Sequence, residues 1–331
     1  MKPYISVIVI AHDRRRYLLE ALKSIKKQTL LKDLYEVVIV KNFEDSEIDT
    51  YARSMQATLI FTKEENAGAK VSTGIKLSKG EIICMMADDD LYLPDKLRSV
   101  YDNFNRDPQL IYYHNAFATI DEQGHRRRFK HYKNPLHRLT TLNNPVGVNG
   151  LAKMIKFMGY HNDSSISIRK EYFCEYLDIL AQFQVSWDSF FFFLSFKSHS
   201  HIVIDSKILT LFRVHNSLSH TKEDFELFLD KRCVLSKRFI KESYLISKIT
   251  NEPSVINYLS YIVASWYIVQ YLVCRNANKL ILIGKLGTIS RNIKYSLPAG
   301  RLATLLGGIL CVFANGFAST VYYLYNKLLY F

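Results

Sequence analysis

The chain has 331 residues, 48% of them hydrophobic, enough for one large domain or two smaller ones. Its 44 Lys and Arg outnumber 31 Asp and Glu, and the formal net charge of +13 indicates an anionic partner such as nucleic acid, lipid head groups or a phosphorylated small molecule. The five cysteines are scattered and odd in number, so we expect neither a disulfide framework nor a zinc site, and a reducing compartment. The chain opens without the pattern of a signal peptide, which predicts a cytosolic start.

Short apolar runs predict the strands of a sheet in the first third of the chain. They cover residues 5–11, 35–40, 58–62 and 82–87. Apolar residues recur at helical spacing from Arg14 onward, and a further helix is predicted over 69–78, whereas 41–49 is interpreted as a polar segment. The alternation predicts βαβ units, and hence an α/β fold with a mostly parallel sheet flanked by helices.

Three consecutive carboxylates, Asp88, Asp89 and Asp90, follow the last of these strands, and Pro94 favours a helix start after them. Ligands of such sheets bind outside the carboxyl ends of the strands, where this triplet lies. The carboxylates repel one another unless a cation lies among them. From the residues alone, the triplet is either a solvated turn that caps the next helix or a cation site.

Four motifs in order resemble glycosyltransferases of family 2. S-V-I-V-I-A-H-D-R-R-R-Y-L is similar to the family's first strand and loop, and E-V-V-I-V-K-N to its second strand. E-N-A-G-A-K-V-S-T-G-I-K-L-S-K-G-E is similar to the family's Asn-x-Gly loop and helix, and the triplet with L-Y-L-P-D-K-L to its metal-binding DxD motif. The resemblance covers roughly residues 4–220. It implies a GT-A fold, a single Rossmann-like domain that binds a nucleotide sugar.

The resemblance also implies which residues bind the donor. Asn42 stands where a carboxylate usually accepts the uracil N3–H, and its amide oxygen can accept the same bond. Lys41 replaces the aspartate that usually precedes this position, which leaves the identity of the base open. His12 is either a base contact or an ordinary exposed histidine, and Lys70 either approaches the diphosphate or is a solvated helix lysine. The implied nucleotide-sugar site comprises Ala11, His12, Asp13, Asn42, Lys70, Asp88 and Asp89.

A metal site is implied at the triplet. Counted back from Pro94, the family pattern leaves Asp89 and Asp90 as ligands, with Asp88 on the ribose or the metal, and a variant register pairs Asp88 with Asp89. The segment L-F-R-V-H-N-S-L-S-H implies that His215 approaches the metal or the diphosphate and that Arg213 supports the loop. Oxygen ligands of this kind match Mg²⁺ or Mn²⁺, which would neutralise the leaving nucleoside diphosphate.

Asp188 stands where the family has its catalytic base. It lies between Trp187 and four phenylalanines, a setting expected to raise the pKa of its carboxyl group. The alternative is a helix N-cap, and one residue can serve both purposes. Asp163 is expected to cap a turn or to contact the acceptor. The basic segment 125–133 is interpreted as a solvated loop, with a phosphate contact as the alternative.

The resemblance ends near residue 220, so we expect a GT-A catalytic domain over 1–220 and a helical, basic and hydrophobic membrane-associating region over 221–331. Residues 225–249 predict an amphipathic basic helix, and 255–274 a mostly apolar one at the interface or packed on protein. Residues 302–325 carry no charge and are long enough to span a bilayer. Since the basic segment 275–301 disfavours an outward location under the positive-inside rule, we expect 302–325 to span once or to lie in the surface of the cytoplasmic leaflet.

The function that the resemblance implies is a metal-dependent, inverting transfer of a sugar from a UDP-linked nucleotide sugar to a hydroxyl of a glycan or lipid-linked acceptor at the cytosolic membrane face. An anionic membrane surface and a homo-oligomer formed through the C-terminal helices are expected partners, and nucleic acid is not. The alternatives are a catalytically inactive sugar-nucleotide or membrane-binding module, and a nucleotidyltransferase. A nucleotidyltransferase normally has a glycine-rich loop after its first strand, which the segment A-H-D-R-R-R lacks.

Overall fold

A computed structural model describes residues 2–127, 140–156, 159–197, 199–215 and 225–274, together with Lys285 and Thr288. These residues form two compact units. The first contains most of the chain up to Arg213, and the second contains Val146–Lys156 and the chain from Val214 onward. The two units are described separately below.

The strands and helices alternate through the first half of the chain. The strands are β1 (Ile5–Ala11), β2 (Tyr35–Lys41), β3 (Thr58–Phe61), β4 (Ile82–Ala87), β5 (Leu91–Tyr92), β6 (Leu110–Ile120), β7 (Thr140–Asn143), β8 (Ile166–Arg169) and β9 (His201–Arg213). The helices are α1 (Arg15–Lys26), α2 (Ser46–Ser54), α3 (Ala67–Leu77), α4 (Lys96–Arg106), α5 (Val148–Lys156), α6 (Leu177–Leu180), α7 (Trp187–Leu194), α8 (Phe225–Ile249) and α9 (Pro253–Val273).

All nine strands belong to one sheet of order β3-β2-β1-β4-β8-β6-β9-β5, and β7 pairs with β9. Strands β1 to β4 are parallel neighbours, and β6 runs parallel to β9. The strand β8 joins these two parts by pairing antiparallel with both β4 and β6. The predicted α/β architecture, a mostly parallel sheet flanked by helices, is confirmed.

The core lies where the central strands meet their helices. Ile82 to Met86 of β4 are completely buried, as expected for a strand that helices cover on both faces. Leu18, Leu22 and Ile25 of α1 are also completely buried and pack into the same cluster as β1, β2 and β4. These apolar periodicities explain why the first elements begin and end close to the residues predicted from the sequence.

Helix α2 is among the helices that were not predicted. The segment interpreted as polar contains α2, and Asp45 caps it by accepting a hydrogen bond from the N–H of Ile48 at 3.1 Å. The helix buries Ile48 and Ala52 on one face. It is short and mostly polar, and its capping residue was the signal that could have identified it.

The second unit contains a helical pair, α8 and α9, in which the rings of Phe239 and Trp266 stack at 4.5 Å. A disulfide joins Cys233 of α8 to Cys274, directly after α9. This bond corrects the expectation of a chain without disulfides. Since 41 residues separate the two cysteines, only the packing of the helices brings them together, and their spacing in the sequence carried no sign of it.

Most side chains of α9 are buried, including Val255, Leu259, Ile262 and Ile268. Of the two possibilities for the apolar segment 255–274, packing on protein is therefore the observed one. Within the described part of the chain, no helix is both long enough and apolar enough to cross a membrane. The segments 275–301 and 302–325 lie outside the described residues, apart from Lys285 and Thr288.

Candidate functional site

The triplet of carboxylates lies at the carboxyl edge of the sheet, beside the loop that follows β1. β1 and β4 are adjacent and parallel, with Ile10 opposite Ala87, so the loops after them leave the sheet side by side. Asp88 and Asp90 are completely buried, and Asp89 is 8% exposed. The turn is therefore not solvated, which makes one of the two initial interpretations wrong.

Arg14, in the loop after β1, neutralises two of these carboxylates. Its Nη2 lies 2.6 Å from Oδ1 of Asp88, and its Nη1 lies 2.5 Å from Oδ2 of Asp89. The N–H of His12 also donates to Oδ2 of Asp88, at 3.3 Å. The two loops are thus joined by charge-assisted hydrogen bonds, which are stronger than neutral ones.

The same burial perturbs the acids. Burial raises the pKa of Asp88 to about 7, with Arg14 acting to lower the pKa and the charge of Asp89 acting to raise it. Burial and the charge of Asp89 also raise the pKa of Asp90 well above its ordinary value. The pKa of Arg14 is raised, because the carboxylates of Asp88 and Asp89 outweigh the lowering effect of burial. Titratable groups with strongly shifted pKa values cluster at functional sites, so these shifts at the carboxyl edge of the sheet mark a candidate site.

Asp163 joins this group from another strand. It begins the 3₁₀ turn Asp163–Ser165 that precedes β8, and the antiparallel register of β8 with β4 carries this turn to the end of β4. The hydroxyl of Ser164 accepts a hydrogen bond from the N–H of Ala87 at 3.0 Å. Burial and the nearby charge of Asp89 raise the pKa of Asp163 to about 6. Asp163 therefore belongs to the carboxylate cluster.

Arg213 fixes the triplet from the opposite side. Its N–H donates to Oδ1 of Asp90 at 2.9 Å, and its Nε donates to the carbonyl of Asp89 at 2.8 Å. Its Nη2 pairs with Glu20 of α1 at 2.7 Å, and its guanidinium lies 4.4 Å from the ring centroid of Tyr17. Arg213 therefore holds the loop that carries Asp89 and Asp90 against the end of β9.

Asp13 and Asn42 form a reciprocal pair between the loops after β1 and β2. The N–H of Asp13 donates to Oδ1 of Asn42 at 3.0 Å, and Nδ2 of Asn42 donates to Oδ1 of Asp13 at 2.9 Å. Asp13 has a φ of 55°, a left-handed conformation that Asp tolerates better than most residues. Both residues predicted to face the base are therefore adjacent and accessible to solvent.

Lys70 of α3 is 1% exposed, so its interpretation as a solvated helix lysine is wrong. Its Nζ donates to the carbonyl of Ala11 at 3.1 Å and lies 2.7 Å from Nδ1 of His12. Burial lowers the pKa of Lys70, against the raising effect of Asp13 and Asp88. Lys70 thus contacts the loop after β1, which the carboxylates also contact, and brings a positive charge to the site.

Lys41, which stands in place of the family's usual aspartate, does not contribute to this loop. Its side chain is completely buried and forms an ion pair with Asp49 of α2. Its Nζ also lies 4.8 Å from the ring centroid of Phe43 and 4.7 Å from that of Phe61. The ion pair holds α2 against the sheet, and Asn42 is the polar side chain that this strand end presents next to Asp13.

Asp188 lies in the first turn of α7, where its Oδ1 accepts a hydrogen bond from the N–H of Ser189 at 2.6 Å. The N-cap residue is Ser186. Burial, with the charge of Asp188, raises the pKa of the Tyr112 hydroxyl well above its ordinary value, so this carboxylate lies near buried Tyr112 of β6. Asp188 itself is partly exposed.

α3 is tied to the segment that leads into α7. The N–H of Gly68 donates to the carbonyl of Phe183 at 3.0 Å. A Cβ at Gly68 would lie 2.1 Å from the carbonyl oxygen of Leu180. The helix that carries Lys70 therefore contacts α6 and the segment before α7 so closely that only glycine fits at position 68.

The remaining metal-ligand prediction, His215, follows the end of β9 by two residues and belongs to the second unit. Within the described residues, no three Asp, Glu, His or Cys side chains form a group that could hold a metal ion by themselves. Of the basic segment 125–133, only 125–127 are described.

No role was predicted for Arg14, and Asp163 was expected to cap a turn or to contact the acceptor. Arg14 ends the loop after β1 and is the first of three consecutive arginines, and the adjacency of β1 and β4 in a parallel sheet was the signal available for it. Asp163 reaches the cluster through the antiparallel strand β8, whose pairing carried no local signal. Both omissions therefore come from long-range strand order.

Comparison with known proteins agrees with this architecture. Residues 6–169 match the model of glycosyl transferase family 2. An uncharacterized glycosyltransferase of Rickettsia typhi is 28% identical over 126 residues, which cover 37% of this chain and 39% of that protein. One of Methanocaldococcus jannaschii is 29% identical over 132 residues, which cover 37% of this chain and 44% of that protein. The matched region thus spans less than half of either relative.

Two solved structures share the fold. Staphylococcus aureus TarS 1–349 in complex with UDP-GlcNAc has a TM-score of 0.57 at 14% identity, covering 93% of this chain and 90% of that chain. The mannosyltransferase PcManGT of Pyrobaculum calidifontis in complex with GDP-Man and Mn²⁺ has a TM-score of 0.53 at 12% identity, covering 96% and 88%. At these identities the likeness establishes the GT-A architecture alone.

Proposed function

Because the chain belongs to glycosyl transferase family 2, we propose that it transfers a sugar from a nucleotide sugar, UDP-linked, to a hydroxyl group of a glycan or lipid-linked acceptor. The observation that carries this proposal is the meeting of three loops at one edge of the sheet. They bring the Asp13–Asn42 pair, Lys70 and the buried carboxylates together. Open α/β sheets bind their ligands at this edge.

In this proposal different residues bind different parts of the nucleotide sugar. The exposed pair of Asp13 and Asn42 offers a carboxylate oxygen and an amide to a nucleobase, which fits the donor and acceptor groups of uracil. Ala11 and His12 line the same loop, and Asp88 accepts a ribose hydroxyl. Lys70 supplies a positive charge for the diphosphate from a position that its bond to Ala11 holds.

A divalent cation, Mg²⁺ or Mn²⁺, fits the donor chemistry of the triplet. Within the described residues there is no all-protein cage for a metal. Mg²⁺ at phosphate sites, however, is usually bound through one or two carboxylates and the phosphates of the substrate. Asp89 and Asp90 are the proposed ligands, and when bound the ion would neutralise charge on the leaving diphosphate.

The proposed catalytic base is Asp188. It removes the proton from an acceptor hydroxyl as the oxygen attacks the anomeric carbon, and displacement of the nucleoside diphosphate then inverts the configuration at that carbon. Arg213 holds the carboxylate loop in place, and the Gly68 contact holds α3 against the segment that leads into α7. Positioning of this kind supplies much of the rate of a transfer reaction.

We further propose a catalytic domain over 1–220, and a region over 221–331 that attaches it to the cytosolic face of a membrane, peripherally, as a monotopic protein or with one span through 302–325. The charge after Glu252, where no acidic residue follows, supports an anionic surface as partner. Binding to vesicles with and without phosphatidylserine tests this attachment. Equal recovery in the soluble fraction with both would contradict it.

The experiment that tests the enzyme is a panel of nucleotide sugars, each assayed for thermal stabilisation of the full chain and for hydrolysis, with Mn²⁺ or Mg²⁺ and with EDTA. A ligand present at 100 times its Kd stabilises the folded state by about 2.7 kcal/mol. We expect UDP-sugars to raise the Tm by several degrees in a metal-dependent manner. Absence of both stabilisation and hydrolysis across the panel would refute the proposed function.

A further inference from the structure

Arg14 contacts two carboxylates of the triplet at which a metal ion is proposed. Its two terminal nitrogens lie within 2.6 Å of Asp88 and Asp89, so the guanidinium bridges the two carboxylates. Each of these contacts is a charge-assisted hydrogen bond, which is stronger than a neutral one. The position is specific to Arg14, because Arg15 lies over the ring of Phe43 and Arg16 pairs with Glu122.

Arg14 contacts Asp89, which is a predicted metal ligand in both registers of the family motif. A metal ion at the Asp89 oxygen that lies 2.5 Å from the guanidinium nitrogen would meet the positive charge of Arg14. The side chain of Arg14 is 42% exposed, whereas that of Asp88 is completely buried, so the arginine is the partner with room to move.

We propose that Arg14 sets the affinity of the metal site, because it competes with the divalent cation for Asp88 and Asp89. This inference rests on the proposed function. In the absence of donor, the guanidinium neutralises the buried carboxylates and keeps metal affinity low. A diphosphate adds negative charge to the same edge, so that both cations are accommodated when the donor is present. Metal and donor therefore bind with positive cooperativity, each raising the affinity for the other by the same factor.

The test is a titration of the full chain with Mn²⁺ alone, in which free Mn²⁺ is measured by electron paramagnetic resonance. We compare wild type with Arg14→Gln, with the control Arg16→Gln and with Asp89→Asn. Arg16→Gln removes the same charge two residues further on, in the first turn of α1, but no contact with the triplet. We expect Arg14→Gln to bind Mn²⁺ about tenfold more tightly than wild type, within the range typical of coupling between sites. Arg16→Gln should stay close to wild type, and Asp89→Asn should lose the binding.

The cooperativity has its own readout. Addition of UDP should tighten Mn²⁺ binding to wild type, and this gain should shrink in Arg14→Gln because the competitor is already absent. Equal Mn²⁺ affinity of Arg14→Gln and Arg16→Gln would overturn the proposal. Weaker binding in Arg14→Gln would also overturn it, since the arginine would then be organising the carboxylates instead of competing for them.

Loss of folding is the obvious complication, and Arg14→Lys addresses it. A lysine keeps the charge but lacks the planar fork of the guanidinium and should hold the two carboxylates less firmly, so Mn²⁺ affinity should lie between those of wild type and Arg14→Gln. Unchanged affinity in a folded Arg14→Lys counts against the proposal. If no variant binds Mn²⁺, competition at this site is refuted, while stabilisation by a nucleotide sugar in EDTA would leave the transferase assignment intact. Failure of the two proposals is thus distinguishable.

Discussion

The N–H of Arg213 donates a hydrogen bond of 2.9 Å to Oδ1 of Asp90, a residue 123 positions earlier in the chain. The guanidinium of the same arginine reaches the carbonyl of Asp89, the carboxylate of Glu20 and the carbonyls of Asp121 and Glu122. One buried side chain therefore joins the end of β9, the loop after β4 and helix α1. The shape of the proposed metal loop therefore depends on Arg213, which is not itself a proposed ligand.

We expect Arg213→Lys to destabilise the fold by roughly 3 kcal/mol, since one ammonium group cannot satisfy the acceptors that the guanidinium satisfies and Glu20 is left without its partner. Urea unfolding monitored by circular dichroism measures the change. Arg16→Lys, which alters an exposed pair, is the control and should remain within about 0.5 kcal/mol of wild type. Equal stability of the two variants would show that the Arg213 network contributes little.

Asp188→Asn should abolish transfer while leaving the donor site intact. The amide cannot accept the proton from the acceptor, and the loss of a general base typically costs about 10²- to 10⁴-fold in rate. The kcat with a competent donor and acceptor measures this loss, and the shift in Tm on adding the donor measures binding separately. Asp178→Asn is the matched control, because Asp178 is 91% exposed and pairs only with Lys76 among its described contacts. Normal turnover by Asp188→Asn would remove this residue as the base.

Lys41 and Asp49 should behave as a coupled buried pair. Lys41→Met leaves the carboxylate of Asp49 buried without a counter-charge, which should cost about 3–5 kcal/mol, whereas Lys41→Met combined with Asp49→Leu should recover most of that loss. A double-mutant cycle of unfolding free energies measures the coupling. Additive effects of the two substitutions would contradict the pairing. Donor binding should be unchanged in the double variant, because neither side chain reaches the loop of Asp13 and Asn42.

His114 makes stability depend on pH in the acid range. Burial, assisted by the charge of Lys96, lowers the pKa of His114 from 6.5 to about 3, and its Nε2 donates to the carbonyl of His161 at 2.6 Å. Below the unfolded pKa, the unfolded chain binds a proton that the folded chain does not bind. The stability associated with neutral His114 is therefore complete above a pH of about 6.5 and is lost as the pH falls, by roughly 2 kcal/mol between pH 6.5 and 5.

His114→Gln keeps a donor for the His161 carbonyl but does not titrate. Its unfolding free energy should fall less steeply than that of wild type as the pH is lowered over this window. His125→Gln, at a histidine whose side chain is 75% exposed, should retain the wild-type slope. A parallel pH dependence for His114→Gln and wild type would show that other groups control the acid response.

The parts of the fold that follow from local chemistry were predictable from the sequence. β1 and β4 begin and end where their apolar runs do, and α8 covers the predicted residues, because uninterrupted apolar stretches and helical periodicity are read from neighbouring positions. The carboxyl edge of the sheet followed from the βαβ order. The site residues carried by the family motifs therefore lay close together in the prediction as well.

The features that could not be predicted are contacts between residues that are distant in sequence. The burial of Lys41 and Lys70 can be predicted only if Asp49 and Ala11 are known to be their neighbours. Without that information a lysine is expected to be exposed to solvent. Arg14 points to the triplet because two loops emerge together, and Asp163 arrives through an antiparallel strand. The Cys233–Cys274 bond likewise follows from helix packing. Each of these is a tertiary contact that composition and periodicity do not encode.

The close approach at Gly68 offers a way to perturb the site without altering any reacting group. A single added methyl group would collide with the carbonyl oxygen of Leu180 at 2.1 Å and would force α3, which carries Lys70, away from α6. Gly68→Ala therefore changes the position of Lys70 without substituting it. The geometry of the proposed donor site can be altered in this way, while every polar side chain proposed to take part in the reaction remains the natural one.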